Sequence, residues 1–357
     1  VTAEFSGRQT GEAVAGELTV SIDAMGGDAG PSVVVSALVR SIQRHPGVKF
    51  ILHGDETVLN ELIAKRKAKF AGRVSVCHAA TRVGMDEKPS YALRRRRDSS
   101  LWHAIESVKS GEAQAVVSAG NTGALMAMGM YQLGLIDGIS RPAIASVWPT
   151  QRGQVVVLDC GANVECDSEQ LVDFAIMGEA LARALFGLPK PRVGLVNVGQ
   201  EEVKGHEAVR GAAAILRQSD LPMEFCGFIE GNNIAEGVVD VAVMDGFTGN
   251  IVLKMLEGTA KLIVFFLKSA LKRSLLSRLG AVLAAGALLA LRRKLDPRAY
   301  GGGLMLGLNG IVVKAHGGTD SVGFAYAVDT AIDLAVGGVN TAISADRAGV
   351  KPEMVTS

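Results

Sequence analysis

The sequence predicts an α/β protein built on a doubly wound, mostly parallel sheet, and three observations carry that prediction. Short apolar runs alternate with longer helical patterns along most of the 357 residues. Most of the runs are largely apolar, as in strands covered on both faces. Many of them end in glycine with Asp, Asn or Glu, the punctuation of tight strand-to-helix turns. Apolar residues make up 48% and charged residues 20%, enough for a sizeable core.

The first strand, Leu18–Ile22, leads into Asp23-Ala-Met-Gly-Gly-Asp28 and a helix over Pro31–His45. Phe50-Ile-Leu52 centres the second strand, Lys49–His53, which is followed by a helix over Thr57–Lys67. Ala115–Ser118 precedes a helix over Gly123–Leu133, and the valine-rich Gln154–Leu158 precedes one over Ser168–Leu185. Arg192–Val196 leads to a helix over Gly205–Gln218. Glu224–Ile229 and Val238–Met244 complete the strands before a helix that starts at Gly249. In open α/β sheets ligands bind beyond the carboxyl ends of the strands. Six such ends are polar here: Asp23–Asp28, Ser118–Asn121, Asp159–Asn163, Asn197–Lys204, Glu230–Asn232 and Asp245–Asn250. They predict one polar rim around a cleft.

The net charge of +1 gives no whole-chain attraction to nucleic acid, so basic function has to come from local clusters. The aromatic fraction of 5% argues against a stacking surface for bases. Four cysteines without a CxxC are too few for a disulfide scaffold and suit a reducing cytoplasm. Residues 1–17 lack the basic start and apolar stretch of a signal peptide and are read as a disordered N-terminal tail. One domain is expected over 18–345, with an inserted element at 258–295 and a C-terminal tail at 346–357.

Val116-Val-Ser-Ala-Gly-Asn-Thr-Gly-Ala-Leu-Met-Ala127 is the most informative stretch. A strand enters a turn of glycine and small polar residues, and a helix follows at once. Such a helix start offers unpaired N–H groups and the positive end of its dipole to an anion. No Walker lysine follows, and the spacing is not GxGxxG, so Gly120, Asn121, Thr122 and Gly123 form an anion cradle of another kind.

Gly258–Leu295 contains no Asp or Glu but eight Lys or Arg. On a helix, Lys261, Lys268 and Lys272 share a stripe, with Leu262, Ile263, Phe266, Leu267 and Leu271 around the rest of the cylinder. Leu279–Leu291 is wholly apolar but shorter than the roughly 20 residues a membrane span needs. Two readings stand: core or dimer-interface helices, or an amphipathic element on an anionic membrane surface, contacted through Lys261, Phe266, Lys268 and Lys272.

Arg94, Arg95, Arg96 and Arg97 form the densest charge cluster. It is either a solvated helix face or a receiver of phosphate or an acidic protein. No aromatic platform is read beside it, so nucleic acid is not an expected partner. There is no HExxH, no GxSxG and no nucleotide fingerprint, and neither a metal nor a cofactor is expected. His206 and His316 lie in polar glycine-containing stretches. Lys204 sits before a predicted helix start, where a surface lysine opposes the dipole. Asn250 opens the last predicted helix and can donate an amide hydrogen bond to a developing oxyanion.

Together these motifs resemble the PlsX-type phosphate acyltransferases. Ser21-Ile-Asp-Ala-Met-Gly-Gly-Asp-Ala-Gly-Pro31, Lys88-Pro-Ser-Tyr-Ala-Leu-Arg94, Asp98-Ser-Ser100, Ser118–Met126, Arg141-Pro-Ala-Ile144 and Leu158–Asn163 carry the resemblance in the first half. Asn197–Gly205, Asp245–Asn250, Tyr300-Gly-Gly302 and Lys314-Ala-His-Gly317 continue it, in order, over residues 18–330. The resemblance implies a fold similar to isocitrate and isopropylmalate dehydrogenases and to phosphotransacetylases. It implies transfer of a long-chain acyl group from acyl carrier protein to inorganic phosphate, giving an acyl phosphate for a membrane glycerol-3-phosphate acyltransferase. It also implies a homodimer and catalytic roles for Lys204 and Asn250, while the cysteine usage and the acid-free segment add the expectation of a cytoplasmic enzyme docked peripherally on membranes. Asp23, Gly26, Gly27, Gly120, Asn121, Thr122, Gly123, Asn163 and His316 are then expected around phosphate or acyl group, and Arg94–Arg97 at the carrier protein. An NAD(P)-dependent dehydrogenase on the same architecture and a non-catalytic membrane scaffold are the rival readings.

Overall fold

The computed structural model describes residues 18–294 and 302–349. The expected N-terminal tail, Leu295, residues 300 and 301 of one motif, and residues 350–357 lie outside the described residues. The elements run β1 (Thr19–Asp23), α1 (Pro31–Arg44), β2 (Lys49–Gly54), α2 (Glu56–Ala64), α3 (Lys67–Phe70), β3 (Val74–His78), α4 (Pro89–Arg95) and α5 (Ser100–Lys109). They continue with β4 (Ala115–Ser118), α6 (Thr122–Leu133), β5 (Ala143–Thr150), β6 (Gly153–Leu158), α7 (Ser168–Phe186), β7 (Arg192–Val196), α8 (Glu207–Gln218), β8 (Glu224–Ile229), α9 (Gly231–Glu236) and β9 (Val241–Val243). The last are α10 (Gly246–Lys272), α11 (Leu275–Leu283), α12 (Ala285–Lys294), β10 (Gly303–Leu306), β11 (Ile311–Lys314), α13 (Ser321–Gly337) and α14 (Val339–Ala348).

The strands form one sheet of 11, in the order β3-β2-β1-β4-β11-β10-β5-β6-β9-β7-β8. Helices cover both faces. The larger core, built around Phe50, Phe174 and Phe324, packs α1, α7 and α13 on one side. Two smaller clusters fill the other, under α5 and α6 and under α9 and α10. Six of the predicted strands start and stop within a residue of the observed ones, while the seventh, Val238–Met244, shrinks to β9. The strands β3, β5, β10 and β11 are additional, and three of the four are too short for a periodicity to show.

Two of those additional strands change the site. Pairing is antiparallel at β11–β10, β10–β5 and β5–β6, and parallel elsewhere. Three reversals turn β6, β9, β7 and β8 against β3, β2, β1, β4 and β11. The polar strand ends therefore fall on two opposite margins of the sheet, and the expectation of a single rim is corrected. Helix α6 measures the separation: its 12 residues run about 18 Å from the Asn121 turn toward the other margin. There the chain bonds Gly307 (Ile136 N to Gly307 O, 3.0 Å), close by Pro142, whose carbonyl accepts from Asn163 of the second margin at 2.8 Å.

At the C-terminal end α14 runs through Ala348, so Asp346 and Arg347 are not tail residues as expected. Arg183 of α7 bonds Asp346, and Arg347 pairs with the nearly buried Asp173 at 2.8 Å. Burial pushes Glu179, the bidentate partner of Arg183, up to about 8.

Candidate active site

The first margin is built from the turns after β1, β4 and β11. Asp23 ends β1 and is 1% exposed; it accepts hydrogen bonds from Ser100 Oγ at 2.6 Å and Ser118 Oγ at 2.7 Å. Burial raises its carboxyl above the usual carboxylate range, against the pull of those hydroxyls. A Cβ on Gly26 would lie 2.4 Å from Asp23 Oδ2 and 2.8 Å from Gly120 N. Gly27, at φ 88°, closes just as tightly on Ala119 and on the Gly317 carbonyl. Gly26 and Gly27 therefore join three turns by close backbone approach, a packing only glycine permits. Asp23 organises this floor from below.

Asn121 caps α6: its Oδ1 accepts from Ala124 N at 3.0 Å, while its Nδ2 donates to the carbonyls of Gly84, Met85 and Glu87. Its amide is thus committed to the loop ahead of α4, and Gly123 is pressed against Pro89 of that helix. What faces outward is the first turn of α6, where Thr122 is exposed and the N–H groups of Thr122 and Gly123 have no intrahelical acceptor. His316 is exposed beside this turn, its Nδ1 accepting from Gly318 N at 3.2 Å.

The second margin carries Lys204 in the loop that follows β7 and Asn250 near the start of α10, the helix that follows the neighbouring strand β9. Asp159 follows β6 and is fully buried. Its Oδ1 accepts from Ile144 N, Gly161 N and Ala162 N, and its Oδ2 accepts from Asn163 N at 2.7 Å and Asn163 Nδ2 at 3.0 Å. Asn163 thereby braces the 159–163 turn, with no amide proton left for a ligand. Helix α10 begins against this turn: a Cβ on Gly249 would sit 1.8 Å from Asp159 O, and one on Gly246 2.5 Å from Asn163 O. Asp245 caps the helix through Thr248 N and Thr248 Oγ1, both at 2.8 Å. This contact seats exposed Asn250 beside Gly161, and no hydrogen bond among the described residues engages its amide.

Lys204 lies in the turn before α8, which starts at Glu207 with His206 as its N-cap, so the predicted helix start at Gly205 comes two residues early. Asn197 Nδ2 donates to Lys204 O at 3.0 Å, and Gly205 at φ 91° leaves no room for a side chain against Asn197 Oδ1. The ammonium reaches Glu201 Oε1 at 2.9 Å, which raises its pKa above the ordinary lysine value. Both partners are exposed, so the pair is easily exchanged for another anion.

The arginine cluster divides. Arg96 grips Glu87 with two hydrogen bonds of 3.0 and 2.9 Å, and Arg97 lies 5.3 Å from the ring centroids of both Trp102 and Tyr131. The expectation that no aromatic group stands beside the cluster is corrected by this pair. Arg94 and Arg95 remain on the exposed face of α4. Beyond Gly249, the described side chains of α10, α11 and α12 form an arm with none buried. Lys261, Lys268 and Lys272 are exposed there with Leu262, Phe265 and Phe266, and Leu276 and Leu283 exceed 80% exposure. Among the described residues no single helix is long and apolar enough to cross a membrane.

Two features of the first margin were not singled out from sequence. Lys314 is buried at the end of β11, and Ser100 and Ser118 hold Asp23. All three lie in motifs quoted above, but only the fold brings them together, Lys314 and Ser118 by strand register and Ser100 by the start of α5.

A family model described as "Fatty acid synthesis protein" matches residues 18–342. A phosphate acyltransferase of Parvibaculum lavamentivorans is 53% identical over 319 residues, spanning 89% of this chain and 88% of that protein. One from Rhizobium meliloti is 52% identical over 332 residues, spanning 92% and 95%. Among solved structures, a phosphotransacetylase from Streptococcus pyogenes aligns over 90% of this chain and 94% of its own, with a TM-score of 0.60 and 16% identity. The EutD phosphotransacetylase from Staphylococcus aureus aligns over 91% and 94%, with a TM-score of 0.58 and 18% identity. These two likenesses concern the fold.

Proposed function

Because this chain belongs to the fatty acid synthesis protein family, and within it to the phosphate acyltransferases, which move an acyl group onto phosphate, we propose that its donor is acyl carrier protein and its product an acyl phosphate. The observation that carries the reading is that the segments following the neighbouring strands β7 and β9 bear Lys204 and Asn250, with Gly205 packed on Asn197 and Gly249 on Asp159 beside them. Phosphate, seated on the first turn of α6, attacks the thioester carbonyl. A carbon–oxygen bond forms, the carbon–sulfur bond breaks, and the carrier thiolate leaves and takes up a proton from water. Asn250 donates to the tetrahedral oxyanion, and Lys204 exchanges Glu201 for phosphate or oxyanion charge. Phosphate is already a nucleophile, so no thiol is needed. Burial pushes the nearby Cys160 thiol far up and Cys166 up to about 12, which leaves both poorly ionised.

One chain holds the phosphate turn and the Lys204–Asn250 pair on opposite margins, so the working site lies between the two copies of a homodimer. The long-chain specificity and the supply to a membrane glycerol-3-phosphate acyltransferase belong to the same reading. For the carrier, which is acidic, the docking surface narrows to Arg94 and Arg95, because Arg96 and Arg97 are engaged. Phosphate-dependent release of free carrier thiol from acyl carrier protein tests the reading, and absence of release overturns it. Arg94→Glu with Arg95→Glu should raise the KM for the carrier about tenfold; an unchanged KM removes the docking surface.

The exposed lysines and apolar side chains of the arm fit a peripheral seat on anionic lipid, close to the consumer of the product. Such a protein is cytoplasmic and membrane-docked. Low-salt flotation with anionic vesicles should carry it upward. A dimer that stays at the bottom leaves the arm to dimerisation alone.

A further inference from the structure

Among the lysines and arginines whose side chains are described, Lys314 alone is buried, at 8% exposure. In the register of three adjacent parallel strands it stands opposite Ser118 of β4, which stands opposite Asp23 of β1. Its Nζ donates to the carbonyl of Ala119 at 3.3 Å and to the carbonyl of Ala315. Ala119 is the residue before the Gly120–Gly123 turn. The same peptide group is held at its other end, where Gly120 N donates to Ser118 Oγ at 2.9 Å, and that hydroxyl donates to Asp23. Peptide 119–120 is therefore clamped between an ammonium and a serine–aspartate pair directly beneath the N-terminus of α6.

Burying an ammonium is costly, and surface lysines avoid it. A neutral donor would bond the Ala119 carbonyl as well if shape were all the turn needed. What the ammonium adds is a fixed positive charge behind an anion cradle, in surroundings of low dielectric where it acts over several ångströms. We propose that Lys314 is a positioning residue for phosphate, which it serves by locking peptide 119–120 and setting its charge behind the α6 turn. The inference rests on the reading that phosphate binds at that turn.

The charged groups that face Lys314 are Asp23 from β1 and Asp28 from the loop after it. The strand β4 contributes only the Ser118 hydroxyl, and β10 has no titratable residue. Helix α13 packs against this sheet through apolar residues such as Phe324 and Val328, with Asp320 at its N-cap bonded to Val322 N and Gly323 N. His316, two residues along, is exposed. Burial lowers Lys314 to about 8, against the pull of Asp23 and Asp28. The charge is thus present at neutral pH and fades as pH rises through about 8, where phosphate is already the dianion.

Steady-state KM values for phosphate and for the acyl donor, measured on the dimer from about pH 7 to about pH 9.5, test this. The wild type should show a KM for phosphate that climbs several-fold above pH 8 or so, with the donor KM steady. Lys314→Met should raise the phosphate KM about tenfold at neutral pH and abolish the climb, the scale expected for one lost charge-assisted hydrogen bond. Lys314→Arg, always charged, should keep a low KM without the climb. A flat wild-type profile overturns the inference whether or not either variant folds. So does a Lys314→Met protein whose phosphate KM stays within twofold, or one whose two KM values rise together as a loosened fold would dictate. A wild type that transfers no acyl group to phosphate at any pH instead removes the reading on which the inference rests.

Discussion

Asn250→Ala is expected to cut phosphate-dependent acyl transfer by about 10²–10³, the usual loss when one donor to a developing oxyanion is removed. Lys204→Ala should fall in the same range. The two side chains are exposed and lie outside the apolar clusters, so neither truncation should cost much stability. The loss should appear in kcat and kcat/KM together, because the proposed partner of Asn250 is an oxyanion that exists only after attack. Lys204 differs, since it is proposed to neutralise phosphate too, and its variant should raise the phosphate KM as well. Folded variants with near-normal turnover would remove both residues from the reaction.

Mixing two inactive proteins should restore activity. Thr122→Asp puts a carboxylate at the first position of α6, where it suits the helix dipole yet repels phosphate from the cradle. Asn250→Ala disables the other margin. If each site draws its phosphate turn from one copy and its Asn250 from the partner, a heterodimer contains one site with both defects and one with neither. Random re-pairing of equal amounts makes half of the dimers mixed, so about a quarter of wild-type activity should return. Activity that stays at background after confirmed subunit exchange would place the whole site within one chain.

The strand-to-helix turns were legible because glycine and a capping residue announce them locally. Asn121, Asp245 and Asp167 all cap the helices that the sequence suggested. The direction of half the sheet was not legible. It depends on β10, four residues long, and on β5, whose run includes small residues and Pro149, and neither shows a strand signature by composition. From six polar strand ends the sequence suggests one rim, and two antiparallel strands split it into two. Local chemistry also misled where side chains had nearer work: Asn121, Asn163 and Arg96 looked available and are spent on backbone or carboxylate partners. Lys314 showed the reverse, an unremarked residue of a short strand that register brings to the floor of the Gly120–Gly123 turn.

Phosphate carrying ¹⁸O at every oxygen tests the central claim most directly. Incubated with the wild-type dimer and acyl carrier protein bearing a long acyl chain, it should yield an acyl phosphate that retains all four labelled oxygens, one of them bridging carbonyl carbon and phosphorus. Free carrier should form in equal amount. Unlabelled fatty acid with the phosphate unchanged would mean that water attacks the thioester and that phosphate is not the acceptor, which would contradict the account.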